Sequence, residues 1–174
     1  MTSNSGNTPG GNRILGILRS ANGVGVVRIE DRYDTAIDDL WAALTDPDRL
    51  VRWYGKVEGD LRPGGEFHGR LEFWEGTGRV KACEPLRRLL VTTRGVDEPY
   101  DEVIEATLTA DGDQTILVIE TRGMPPDLIA AYGAGYQIHA ENLAAHVAGR
   151  ERVDSKARWA ELTPPYQDLA ANIG

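Results

Sequence analysis

The chain has 174 residues, with 19 Lys and Arg against 27 Asp and Glu and a formal net charge of −8. That length suits one domain able to bury roughly 70% of its unfolded surface, and the acidic balance repels phosphate backbones and anionic lipid, so nucleic acid is not an expected partner. A single cysteine, Cys83, excludes an internal disulfide framework and a Cys-rich zinc site; no apolar run reaches the about 18 residues of a membrane span, and the start lacks a basic, apolar leader, so a cytoplasmic protein without membrane insertion is expected.

Residues 1–12, MTSNSGNTPGGN, are too polar to offset their ordering entropy and are expected to form a disordered tail. RILGILR and VGVVRIEDRYDT flank Asn22-Gly23, a pair that accepts the positive φ angles of a tight turn, which predicts a β-hairpin ending near Asp34. Ile37, Leu40, Trp41 and Leu44 then follow helical spacing, with Thr35 and Asp38 as a capping box. Asp46 and Pro47 open a second short helix carrying Leu50, Trp53 and Tyr54 on one side, closed by Gly55. From 56 to 122 the period becomes alternating: EFHGRLEFW, RLLVTT, EVIEATLTA and TILVIETR read as antiparallel strands, with a hairpin turn at Asp111-Gly112. After Pro125-Pro126 the pattern is helical again. Ile129, Tyr136, Ala140, Leu143 and Val147 share one arc, and Gly133 and Gly135 predict that the main helix starts near 134 after a separate turn. The remainder, 151–174, carries helix signals broken at Pro164-Pro165 and is expected to dock through Trp159, Leu162, Tyr166 and Leu169.

Two of the three histidines, His139 and His146, fall on one flank of that helix. Seven residues at about 1.5 Å rise start them about 10 Å apart, too far for one mononuclear ion without sharp convergence, so no metal and no cofactor are expected. Their competing readings are boundary residues of the core face and polar contacts in a pocket, with Tyr136 one turn earlier and nearer the centre of the arc. Ser3, Ser5, Ser20 and Ser155 sit in no nucleophile elbow, Cys83 reads as a packed thiol, and the glycine pairs lack the pattern of a phosphate loop. Glu120 continues the phase of Ile116 and Val118 and is the one carboxylate that alternation could draw inward, although a surface position is favoured.

WAALTDPDRLVRWYG, LRPGGEFHGRL, GTGRVKACEPLRRLLVTT, DGDQTILVIETRGM and GYQIHAENLAAHVAG occur in an order that resembles the bacterial homologues of the heat-shock protein 90 ATPase activator, within the START-like (SRPBCC) superfamily. The likeness spans about residues 26–149. Trp41 and Trp53 match the paired early helices, Gly64-Gly65 the second hairpin, Glu84-Pro85 the approach to a hydrophobic strand, and Gly135-Tyr136 stands where the family more often has Gly-Trp. The resemblance implies an α+β helix-grip (START/Bet v 1-like) fold: a curved antiparallel sheet of about six or seven strands around a long C-terminal helix, with two short helices after the first strand. Residues 13–150 would form this domain and 151–174 a helical extension packing on it. Residues 13–20 and the extension lie outside the common core, with packing or homodimer contact as their open tasks.

Such folds often hold a hydrophobic cavity, and the leading expectation is a small hydrophobic or aromatic ligand bound between helix and sheet. Its candidate contacts are Trp53, Phe67, Phe73, Trp74, Tyr136 and His139; alternation along a strand would allow only one of Phe73 and Trp74 to face it. An enzyme using the cavity for cyclisation, hydration or hydrolysis, with Tyr136 and His139 as acid and base, is the alternative. Chaperone contact is a third reading, less favoured because it needs an exposed apolar or charged patch.

Overall fold

The computed structural model describes residues 13–173, and the expected tail of residues 1–12 lies outside them. Strands β1 (Gly16–Ala21) and β2 (Val24–Tyr33) form the first hairpin. Asn22 and Gly23 turn it with φ of 55° and 81°, both in the left-handed region that Asn and Gly tolerate. Helices α1 (Ile37–Thr45) and α2 (Pro47–Trp53) follow this second strand rather than the first. Asp46 caps α2 by accepting a hydrogen bond from the Asp48 amide at 2.9 Å. The capping box on α1 does not form: Thr35 instead donates to the Asp39 carboxylate at 2.7 Å, and Ala36 occupies the cap position.

Strands β3 (Lys56–Gly59), β4 (Glu66–Arg70), β5 (Glu75–Glu84), β6 (Arg88–Gly95), β7 (Glu102–Asp111) and β8 (Gln114–Met124) complete one antiparallel sheet in the order β1-β2-β8-β7-β6-β5-β4-β3. Its eight strands exceed the expected six or seven because the short β3 and the N-terminal β1 both pair as full edges. Helix α3 (Ile129–Val147) crosses the concave face, and α4 (Ser155–Ala171) packs behind it. Helices α1 and α2 close one end, where Leu40, Leu44, Leu50 and Trp53 meet Leu108 and Leu117 of the sheet and Leu143 of α3. Among the described residues no helix is long and apolar enough to cross a membrane.

Two helical breaks expected from the sequence are absent. Helix α3 runs unbroken through Gly133 and Gly135. A Cβ on Gly133 would lie 2.5 Å from the Tyr166 ring, so the glycine is what admits α4 to this distance. Helix α4 continues through Pro164 and Pro165 because Leu162 and Tyr166, on either side of the pair, are fully buried against α3 and β1. Polar bonds reinforce that packing. Gln137, 0% exposed, donates to the Arg13 carbonyl at 2.7 Å and to Glu141 at 3.0 Å, and its oxygen accepts from the Leu15 amide at 3.1 Å and from the Tyr166 hydroxyl at 2.6 Å. Arg158 donates to both oxygens of Glu141, at 2.7 and 2.8 Å.

The convex face carries Glu120. Leu117, Ile119 and Thr121 take the concave face of β8, which turns Glu120 outward to accept from Arg122 at 2.9 Å and from Arg19 at 3.3 Å. Opposite it in register stands Glu105, and Arg122 lies within reach of both carboxylates, offsetting their repulsion. Cys83 is half-buried in β5 and its thiol is pushed up by burial, as a packed thiol would be.

Candidate functional site

Between α3 and the sheet lies a cavity of about 480 Å³. Helix α3 contributes Tyr132, Tyr136, His139 and Asn142, which recur at helical spacing along one face. The end of α2 contributes Tyr54, and β7 contributes Glu102 and Ile104. Trp74 from the β4–β5 turn, Glu98 and Tyr100 from the β6–β7 loop, Arg152 from the α3–α4 loop and Trp159 from α4 complete the wall. Phe73, Leu128 and Trp159 line the cavity yet are exposed, so they form an apolar rim at its mouth.

One end is acidic and aromatic. The Tyr132 hydroxyl lies 2.6 Å from that of Tyr100 and 2.9 Å from a carboxylate oxygen of both Glu98 and Glu102. The other oxygen of Glu98 accepts from the Trp74 indole at 3.2 Å and from the Gly95 amide at 3.1 Å. Glu102 is 3% exposed. Its carboxyl is pushed up to about 7, by burial first; the Tyr132 hydrogen bond pulls it down and the Glu98 charge pushes it up again.

The other end is short of partners. His139 stacks at a tilt on Tyr54, ring centroids 4.8 Å apart, and meets Tyr136 edge-on at 5.8 Å. Burial, then the Arg152 charge, push its ring down to about 4, so it is neutral at pH 7. Its Nδ1 has no hydrogen-bond partner, and neither does the Nδ2 amide of Asn142, a residue 1% exposed. Asn142 Oδ1 is satisfied by the Val153 amide at 2.9 Å, which leaves the NH₂ group as the unmet donor. Burial also raises Tyr136 well above the ordinary tyrosine range.

Of the six residues expected from the sequence, Phe73, Trp74, Tyr136 and His139 line the cavity. Phe73 and Trp74 both do so because they occupy the β4–β5 turn rather than a strand, so alternation does not separate them. Trp53 does not reach the cavity: it is buried in the α1–α2 core, its indole donating to the Ala43 carbonyl at 2.9 Å. Phe67 is also outside it, its ring lying over Gly78 of the paired strand, where no side chain intervenes. His146 parts company with His139 and accepts from Arg49 at 2.8 Å beside α2. The residues missed were Tyr54, Glu98, Tyr100, Glu102, Tyr132, Asn142 and Arg152. Glu102 could have been found, since it shares the inward phase of Ile104, Ala106 and Leu108.

A curved antiparallel sheet gripping a long helix over a cavity defines a helix-grip protein of the START-like (SRPBCC) class. The chain belongs to the family of Activator of Hsp90 ATPase homolog 1-like proteins, whose model matches residues 34–148. It is similar to CalU16 from Micromonospora echinospora, both in a crystal structure (27% identity over 89% of this chain and 95% of that one, TM-score 0.74) and in a solution NMR structure (26% over 91% and 96%, TM-score 0.75). DynU16, a protein in the dynemicin biosynthetic locus, is 26% identical with a TM-score of 0.66 over 74% of this chain and 50% of that one. None of the curated proteins matches the chain.

Proposed function

We propose that this chain binds a small molecule with an extended apolar or aromatic surface in the cavity between α3 and the sheet. The observation that carries the reading is a 480 Å³ cavity walled by Tyr54, Trp74, Tyr132 and Tyr136, with Asn142, whose buried NH₂ group is unpartnered, in its lining. Burial of ligand area against those rings supplies affinity, and the few polar groups orient the ligand. The rim of Phe73, Leu128 and Trp159 offers an apolar entrance. DynU16 resides in a biosynthetic locus, which agrees with a small-molecule ligand for this shared fold.

Trp74 and Trp159 report directly on the cavity, so intrinsic fluorescence titrated with lipids and aromatic polyketides tests the reading. The expected result is a saturable change that shrinks when Trp74 is replaced by Phe and is lost when Trp159 is replaced as well. No saturable change with any compound would overturn it. An acid–base role for His139 or Tyr136 is disfavoured by their electrostatics: the first is held neutral with no carboxylate bonded to it, and the second is pushed up.

A further inference from the structure

We propose that the ligand of this cavity carries a protonated amine, which docks between Glu98 and Glu102 with the rings of Trp74, Tyr100 and Tyr132 around it. The proposal rests on the cavity being a ligand site and adds the charge of what it takes. It begins with a count of protons. Tyr132 has one hydroxyl proton and three oxygen neighbours, on Tyr100, Glu98 and Glu102, at 2.6, 2.9 and 2.9 Å. With Tyr100 donating to Tyr132, Tyr132 satisfies one carboxylate only. The second carboxylate then faces a lone pair at hydrogen-bond distance unless it carries a proton itself. The cluster therefore holds one acid and one carboxylate, and Glu102, the more buried of the two, is the acid.

With Glu102 protonated each of the three short contacts has its proton; an ammonium group that displaces this proton brings three N–H donors and a positive charge to two carboxylates. Glu72, Asp97, Glu98 and Glu102 line the cavity against one Lys or Arg, the exposed Arg152, whose charge acts on His139. Independent of this acidic end, the unpartnered Asn142 amide stands ten residues further along α3, about 15 Å of helix axis from Tyr132.

The exchange balances. A protonated amine entering the acid–carboxylate pair leaves two carboxylates and releases one proton to solvent. The titratable groups that share the cavity with Glu102 are Glu98, Tyr100 and Asp97 from the β6–β7 loop, Tyr132, Tyr136 and His139 from α3, Tyr54 from the end of α2, Glu72 from the β4–β5 turn, and Arg152. His139, pushed down to about 4, and the tyrosines, all pushed up, keep one form between pH 6 and pH 8. Glu102, pushed up to about 7, is the group expected to change in that window.

The test uses 2-(1-naphthyl)ethylamine and 2-(1-naphthyl)ethanol, alike in shape and different in charge. Calorimetry at pH 8 should give the amine at least about tenfold tighter binding than the alcohol, by analogy with charged pairs in partly dry sites. At pH 6, buffers of different ionisation heat should read about one proton released per amine bound and none per alcohol, and the amine's affinity should rise about tenfold from pH 6 to pH 8. Glu102→Gln and Glu98→Gln should each reduce the amine's advantage over the alcohol to less than about threefold. Equal binding of the two probes, or amine binding without proton release, would overturn the charge assignment and leave the ligand-binding reading standing. Binding of neither probe would overturn both.

Discussion

The two flanks of α3 carry buried polar groups of similar kind in opposite states. Toward α4, every hydrogen-bonding atom of the Gln137 side-chain amide is engaged, Tyr166 both donates to it and accepts from the Gly16 amide at 2.9 Å, and Arg158 is locked two-pronged on Glu141. Toward the sheet, Tyr132 can meet both Glu98 and Glu102 only if one of them carries a proton, and Asn142 and His139 each leave a ring or amide nitrogen unmet. A satisfied network holds two helices together, whereas unmet groups beside a cavity leave buried hydrogen-bonding capacity unused. Sequence alone would rank the polar residues of both flanks equally.

Breaking the satisfied flank should cost the most. Tyr166→Ala removes a fully buried ring and strands Gln137 and the Gly16 amide, so urea unfolding should show a loss of about 3–5 kcal/mol. Tyr136→Phe, on the other flank, should change stability by less than about 1 kcal/mol while altering the fluorescence titration. Equal losses from the two variants would erase the distinction between the flanks.

The deficient flank should be visible in pH instead. Glu102 titrates near 7 in the folded chain and near 4.5 when unfolded, so the stability of its neutral form is present below about 4.5 and lost as pH rises through 7. His139 runs the other way: its ring titrates near 4 when folded and 6.5 when unfolded, so the stability of its neutral form is present above 6.5 and lost as pH falls toward 4. Each effect is on the order of 3 kcal/mol, and in the native chain they largely cancel. Relative to the native chain, Glu102→Gln should therefore gain stability as pH rises from 4.5 to 7, and His139→Gln should gain as pH falls from 6.5 to 4. Melting temperatures across that range read both slopes, and parallel curves for all three proteins would show that neither group is buried as described.

The strand and helix order was legible because each rests on local chemistry: Asn22-Gly23 can only turn, Asp46-Pro47 can only start, and the period shift at 56 announces the sheet. The site was legible on α3 alone, where Tyr136 and His139 share a face. Glu98, Tyr100 and Trp74 reach the cavity from loops whose direction no periodicity encodes. Tyr132 belongs to the same helical stripe, one turn before Tyr136, but the two glycines between them suggested a break. Phe67 and Trp53 failed for the opposite reason, since an aromatic residue in the right element still has a choice of faces.

Those two glycines give the finest cut, because they lie two residues apart on one helix and meet different residues of α4, Tyr166 in the satisfied interface and Trp159 at the cavity rim. A Cβ at Gly133 meets the Tyr166 ring at 2.5 Å, inside the satisfied interface, where α4 would have to shift. Gly133→Ala should therefore lower stability by about 1–3 kcal/mol, the usual cost of overpacking, despite the better helix propensity of alanine. A Cβ at Gly135 meets only Trp159, at 3.7 Å, an ordinary contact on the cavity side. There the propensity gain is unopposed, and Gly135→Ala should raise stability by about 0.5–1 kcal/mol. Thermal unfolding of the two variants separates the cases by sign: two stabilised proteins would mean that α4 is not seated on Gly133, and two destabilised ones that the space beside Gly135 is already filled.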